Sequence, residues 1–213
     1  MKAALGFRAH SGWAAMVAVC GTAANPKILL RRRVELAGES MHGAVQPYHM
    51  AAKLPREEAE RFIEDSIASS RQYACRGLDA TLGELRAAEC EVIACGLLTS
   101  ASRPLPGVPE ILASHALIHT AEGEMFRDVL AYAASQRGIA VVREKDRDIV
   151  DVCAKRFRAS PATLQNQLQK LGRTLGPPWR EDQKHATLVA LLALTAGHAM
   201  RLDAARLPDA GSR

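Results

Sequence analysis

The sequence predicts one α/β domain: three antiparallel strands first, then two β/α crossovers that extend the same sheet, then three more helices. Three observations predict it. Short apolar runs separated by Gly12, Gly21 and Asn25-Pro26 fill the first 36 residues. Beyond Pro55 the apolar residues recur at helical spacing, broken by two short runs, Glu91–Thr99 and Ile139–Arg143. No repeat, low-complexity tract or linker divides the 213 residues, which suffice for one sizeable core. The expectation is a single domain over residues 1–213, with a flexible tail at 203–213.

Ala3 to Phe7 reads as the first strand, Gly12 as a turn and Trp13 to Cys20 as the second strand. Lys27 to Leu36 is the third, with Ile28, Leu30 and Val34 among Arg31, Arg32 and Arg33. Residues 37–54 hold Gly38, Ser40, Gly43 and Pro47 and read as a loop. A helix starts at Pro55, because an early proline loses no bond and Glu57, Glu58 and Glu60 suit the positive helix end. Phe62, Ile63 and Ile67 give it a buried stripe that continues, with a kink expected at Gly77, through Leu78, Leu82 and Leu85. Glu91 to Thr99 is a short buried strand. One long helix is expected from about Glu110 to Gln136, with Gly138 as its cap. Ile139 to Arg143 is the fifth strand, and helices follow over 147–157, 160–172 and 180–200. Ser160-Pro161 is a favourable cap and first residue for the second of them.

Composition narrows the function classes. Aromatics are 4% of the chain, so Ala, Leu, Val and Ile must build the core. Residues 1–53 carry seven Lys/Arg and two Asp/Glu, and residues 54–213 carry 21 of each, so the whole net charge of +5 lies in the first quarter. The five cysteines show neither a C-x-x-C nor a Cys/His zinc spacing, which points to free thiols in a reducing cytoplasm. Apolar runs fall short of the roughly 18 residues a membrane span needs, so no membrane role is expected. The stretch Trp13 to Ala24 mimics a signal peptide but is read as a strand. There is no G-x-G-x-x-G and no Walker A loop.

The most unusual polar cluster is Ser114 to Glu124. On a helix His115, His119 and Glu122 fall within about 60° of one another. They flank the apolar stripe of Ile118, Ala121, Met125 and Val129. A His pair at i, i+4 suits Zn²⁺ or Mn²⁺, and a pocket there could equally bind an anion. Ala116 stands where a zinc protease needs glutamate, which removes that class alone. A second cluster is Arg31-Arg32-Arg33, with Arg31 and Arg33 on one strand face and Arg32 on the other. It could contact phosphates, or simply keep an edge strand from aggregating. Glu144 to Asp148 mixes signs and reads as the solvated start of a helix.

Leu5-Gly6-Phe7-Arg8-Ala9-His10-Ser11-Gly12 and Glu181-Asp182-Gln183-Lys184-His185-Ala186, with the element order, carry a family resemblance. The chain resembles the ribonuclease H-like superfamily and, within it, the RuvC-type Holliday-junction resolvases. The resemblance covers the layout of most of the chain. It implies a mixed five-stranded sheet of order 3-2-1-4-5 with helices on its faces. It also implies four metal ligands. Asp182 and His185 match the pair three residues apart at the last helix. The first-strand aspartate position reads Arg8, and the fourth-strand glutamate position falls near Cys95.

Two-metal cleavage needs converging carboxylates around ions about 4 Å apart. A guanidinium repels such ions, and a thiol is a soft substitute for a hard oxygen ligand. The expected pocket joins Arg8, His10, Cys95, His115, His119, Glu122, Asp182 and His185, with Arg31, Arg32 and Arg33 as phosphate contacts. The leading expectation is a degenerate nuclease site that binds nucleic acid or another anionic ligand, with Arg8 as anion anchor and no cofactor required. One alternative is a live phosphoryl-transfer enzyme with Mg²⁺ or Mn²⁺ at a rebuilt site, in which Glu122, Asp182 and the histidines substitute for the missing carboxylates. Another is a structural interaction domain, for which a homodimer is one form.

Overall fold

The computed structural model describes residues 1–38, 42–100 and 104–206, with side chains up to residue 198. Strands β1 (Lys2–His10), β2 (Trp13–Gly21) and β3 (Pro26–Glu35) form the antiparallel meander. Strands β4 (Glu91–Thr99) and β5 (Ala140–Lys145) add to β1 in parallel, which gives the order β3-β2-β1-β4-β5. The arginine-bearing strand is therefore an edge, where charge on both faces is tolerated.

One face of the sheet presents Ala3, Leu5, Phe7, Cys95 and Leu97 to the main core, under α2 (Arg56–Ala87) and α4 (His115–Ser135). The other face presents Ala4, Ala94 and Leu98 to the long last helix, α7 (Glu181–Arg206), and to α5 (Ile149–Phe157) and α6 (Pro161–Leu175). Small residues set how close α7 can come. A Cβ built on Gly6 would lie 1.9 Å from the Ala186 carbonyl oxygen, and one on Gly96 would lie 2.4 Å from that of Val189. Only glycine permits such contact between strand and helix backbone.

Four details differ from the sequence reading. The 37–54 stretch contains a one-turn helix, α1 (Pro47–Ala51), started by Pro47 and anchored by buried Tyr48 and Ala51. Residues 39–41 lie outside the described residues. Helix α2 runs 32 residues without a break, and Gly77 is the point where it approaches β3. A Cβ there would meet the Val34 side chain at 2.7 Å. The long helix expected from Glu110 is two, α3 (Val108–Leu112) and α4, because the Ser114 backbone turns extended (φ −132°) between them and α4 restarts after it. Helix α7 runs on to Arg206, into the stretch read as a tail, and 207–213 lie outside the described residues. Ser160 caps α6 as expected, accepting a hydrogen bond from the Thr163 backbone N–H at 3.1 Å. All five cysteines are free thiols. No described helix is long and apolar enough to cross a membrane.

Candidate site at the carboxyl end of the central strand

Strand alternation puts Ala4, Gly6 and Arg8 on the α7 side of β1. The close approach at Gly6 brings the first turn of α7 over the end of that strand. Asp182 and His185, three residues apart, share one face of this turn. Two places along the sheet, β5 ends at Lys145 and a single 3-10 turn begins with Asp146. These elements bring six polar side chains together.

Arg8 is the hub. Its Nε and Nη2 reach the same oxygen of Asp146, at 2.9 and 2.8 Å. Nη2 also lies 2.7 Å from Glu181, and Nη1 donates to Asp182 at 2.9 Å. His10 Nε2 donates to the same Asp182 oxygen at 2.8 Å, and His185 Nδ1 donates to Asp146 at 2.7 Å. An ionised carboxylate only accepts, so both imidazoles carry the proton on those nitrogens. Arg8 is 20% exposed, Asp182 24% and Asp146 28%, while Glu181, at 66%, stands at the solvent edge of the network. Three carboxylates surround one guanidinium. The charge of Arg8 therefore meets acids of the chain itself rather than an open anion site.

Burial disfavours the charge on Arg8, yet the hydrogen bond and attraction of Asp146, with Glu181 and Asp182, hold its pKa above the usual value. Burial likewise pushes the Asp146 carboxyl up, but hydrogen bonds from His185 and Arg8 outweigh it and leave the group below its ordinary value. A carboxyl depressed on folding stabilises the protein above its unfolded pKa, about 3.9. That contribution disappears as pH falls through the lower folded value. Wild type should therefore lose thermal stability as pH falls below about 4, and Asp146→Asn should flatten this acid limb. Equal acid slopes in the two proteins would remove Asp146 from the network.

The other expected residues lie elsewhere. Cys95 projects from β4 into the main core, on the face opposite Arg8, and burial pushes its thiol up to about 12. It stays a neutral thiol and offers no metal ligand. The register pairs Gly6 with Gly96 and Phe7 with Leu97, so Leu98 is the β4 residue level with Arg8. His115, His119 and Glu122 form a second cluster with His49 of α1. Arg31 donates to the carbonyls of Leu175, Gly176 and Pro177 at 2.6, 2.7 and 3.2 Å, which braces the chain between α6 and α7. Arg32 pairs with Glu84 of α2 on the opposite face. Arg33 pairs with Glu35, and its guanidinium lies 4.1 Å over the Trp13 ring. His10 stacks on Trp13 at 4.3 Å.

Sequence reasoning missed Asp146, Glu181 and His49. Asp146 sat in a mixed-charge run that resembled a solvated helix start. The signal that could have found it is its place after a parallel strand, since sites in such sheets lie beyond the carboxyl ends of the strands.

No family model matches the chain, and no curated protein matches it. Two solved structures share its fold over nearly the whole length. One is Thermus thermophilus RuvC in complex with a Holliday-junction substrate, with TM-score 0.52 and 11% identity, covering 94% of this chain and 96% of that one. The other is the Thermus thermophilus RuvC structure, with TM-score 0.52 and 12% identity, covering 93% and 96%. The sheet order, the helices on its two faces and this likeness together show a ribonuclease H-like α/β fold similar to that of RuvC.

Proposed function

We propose that this chain binds nucleic acid through a ribonuclease H-like domain in which an internal ion-pair network takes the place of a catalytic metal centre. The observation that carries the reading is the Arg8 guanidinium seated among Asp146, Asp182 and Glu181. A fixed cation there competes with divalent ions for the same oxygens. The donor set does not fit two Mg²⁺ ions as it stands, because Arg8 engages all three carboxylates and β4 presents Gly96 and Leu98 on that face.

A basic surface beside the network supports the nucleic-acid part. A cavity of about 420 Å³ is lined by Trp13, Arg31, Arg33, Pro178 and Gln183. It shares Pro178 and Gln183 with a groove of about 750 Å³ that carries Arg173, Arg180 and Lys184 and touches Asp182. The Trp13 ring is already covered by His10 and Arg33. The support therefore lies in Arg173, Arg180 and Lys184, three cations along one groove, which suit a phosphate backbone. The fold likeness includes a RuvC bound to a Holliday junction, and this chain is proposed to bind the same chemical class.

The test uses labelled four-way junction, duplex and single strand, each with Mg²⁺ and with Mn²⁺. Binding without cleavage is expected, weakening as salt rises. Replacing Arg173, Arg180 and Lys184 together by alanine should lower affinity and reduce the salt slope by about one for each phosphate no longer neutralised. A second reading, a live metal-dependent nuclease, draws on the excess of carboxylates over Arg8. Cleavage that disappears in Asp182→Asn would establish it and overturn the first. Salt-independent binding, or none, would overturn the nucleic-acid role itself.

A further inference from the structure

The second histidine cluster is built from residues distinct from the Arg8 network, and it has the form of a metal site. His49 comes from α1, and His115 and His119 from the first two turns of α4. One ring nitrogen from each lies within 4.8 Å of the other two. The Nε2 atoms of His115 and His119 are 3.0 Å apart. The His49 ring stands 4.6 Å from that of His119 and 5.4 Å from that of His115, centroid to centroid.

Glu122 supplies the independent observation. Its side chain is 3% exposed, and both oxygens are spent on one residue. Oε1 accepts from the His49 backbone N–H at 3.1 Å, and Oε2 accepts from His49 Nδ1 at 2.9 Å. Among the described residues no lysine or arginine pairs with this buried carboxylate. A buried charge calls for a compensating one. Fixing the proton on Nδ1 leaves the lone pair of His49 on Nε2. This is the arrangement in which a carboxylate orients a metal-bound imidazole and raises its basicity.

We propose that His49, His115 and His119 bind a divalent transition metal of the zinc class, with Glu122 as the positioning residue for His49. Zinc takes imidazole nitrogens at 2.0–2.1 Å, which places tetrahedral ligands roughly 3.3 Å from one another. The His115–His119 separation is already close to that, and small rotations of these two exposed rings close the rest. Three neutral nitrogen donors favour Zn²⁺ or Co²⁺ over Mg²⁺ and Ca²⁺, which want oxygen. With three protein ligands the fourth position belongs to solvent, and the exposure of His115 and His119 leaves it accessible. The metal clips α1 against α4 and places positive charge behind the Glu122–His49 pair.

The experiment uses the untagged full chain, freed of metal with a chelator and titrated with Co²⁺, then competed with Zn²⁺. One equivalent of Co²⁺ with intense tetrahedral visible bands is expected, together with a rise in Tm on adding Zn²⁺. His115→Ala and His119→Ala alter exposed side chains, so the fold should survive while affinity falls about a hundredfold or more. Glu122→Gln should keep the ligands and weaken binding by about 10- to 100-fold. His198→Ala, at an exposed position on α7, should bind like wild type. Failure of wild type to take up either metal, or undiminished affinity in folded His115→Ala and His119→Ala, would overturn the site.

Discussion

Gly6→Ala should cost about 3 kcal/mol or more of folding stability, beyond the usual 1–3 kcal/mol for overpacking. The added Cβ would stand 1.9 Å from the Ala186 carbonyl oxygen and 2.9 Å from the Ala190 Cβ. Real carbon atoms do not approach so closely, and neither neighbour is the free end of a flexible side chain. Helix α7 would have to lift from β1, uncovering Ala4, Ala94 and Ala193 and moving Asp182 and His185 away from Arg8. The same substitution at Gly83 gives the control. That residue is exposed in α2 with nothing within 4 Å of its Cβ position. Gly83→Ala should therefore gain about 0.5–1 kcal/mol, since alanine loses less backbone entropy in a helix. Urea melts read both changes. A Gly6→Ala protein as stable as wild type would mean that α7 does not pack on β1 in this way.

The sheet was legible because its signals are local and agree with one another. Gly12, Gly21 and Asn25-Pro26 bound the meander, and the crossover helices force β4 and β5 to run parallel to β1. Breaks within helices were less legible. Val108 to Ser135 carries apolar residues at one continuous helical period, and only the extended backbone of Ser114 separates α3 from α4. A serine inside such a pattern is compatible with either outcome. Gly77 misled in the opposite direction: it serves a tight contact with Val34, which no local pattern announces.

The site was half legible for a related reason. Arg8, His10, Asp182 and His185 were readable because each lies in a short motif that a strand end or a helix start holds in place. They do converge in one hydrogen-bonded network. Their partner Asp146 comes from the end of β5, far along the chain, and only the sheet order brings it to Arg8. Helical spacing puts His115, His119 and Glu122 on one face, and the structure gathers them with His49 rather than beside Arg8. That spacing could not say which element faces them, and His49 lies in a stretch with too few apolar residues to announce a helix. Cys95 shows the limit of counting along a strand. A shift of one residue changes the face, and the face decides between ligand and core.

The Arg8 network makes the second large prediction, because removing its one cation leaves three acids facing one another. Exposed ion pairs contribute about 0.2–1 kcal/mol and breaking a buried pair costs about 3–5 kcal/mol. With Arg8 20% exposed and bonded to three partners, Arg8→Asp should cost about 2–3 kcal/mol in metal-free buffer. The substitution also adds a fourth carboxylate, so the variant site gains hard oxygen ligands where wild type has a fixed cation. Mg²⁺ should then restore stability, by about 2.7 kcal/mol once its concentration is a hundred times its dissociation constant. Mg²⁺ is the ion to use, because the imidazoles of His49, His115 and His119 do not favour it. Wild type should show no gain beyond that of KCl at equal ionic strength. Arg8→Ala separates the two effects: it loses the cation without gaining a ligand, and should recover less than Arg8→Asp. Equal Mg²⁺ stabilisation of wild type and Arg8→Asp would mean that the guanidinium does not stand in for a metal, and the reading of a replaced metal centre would fall with it.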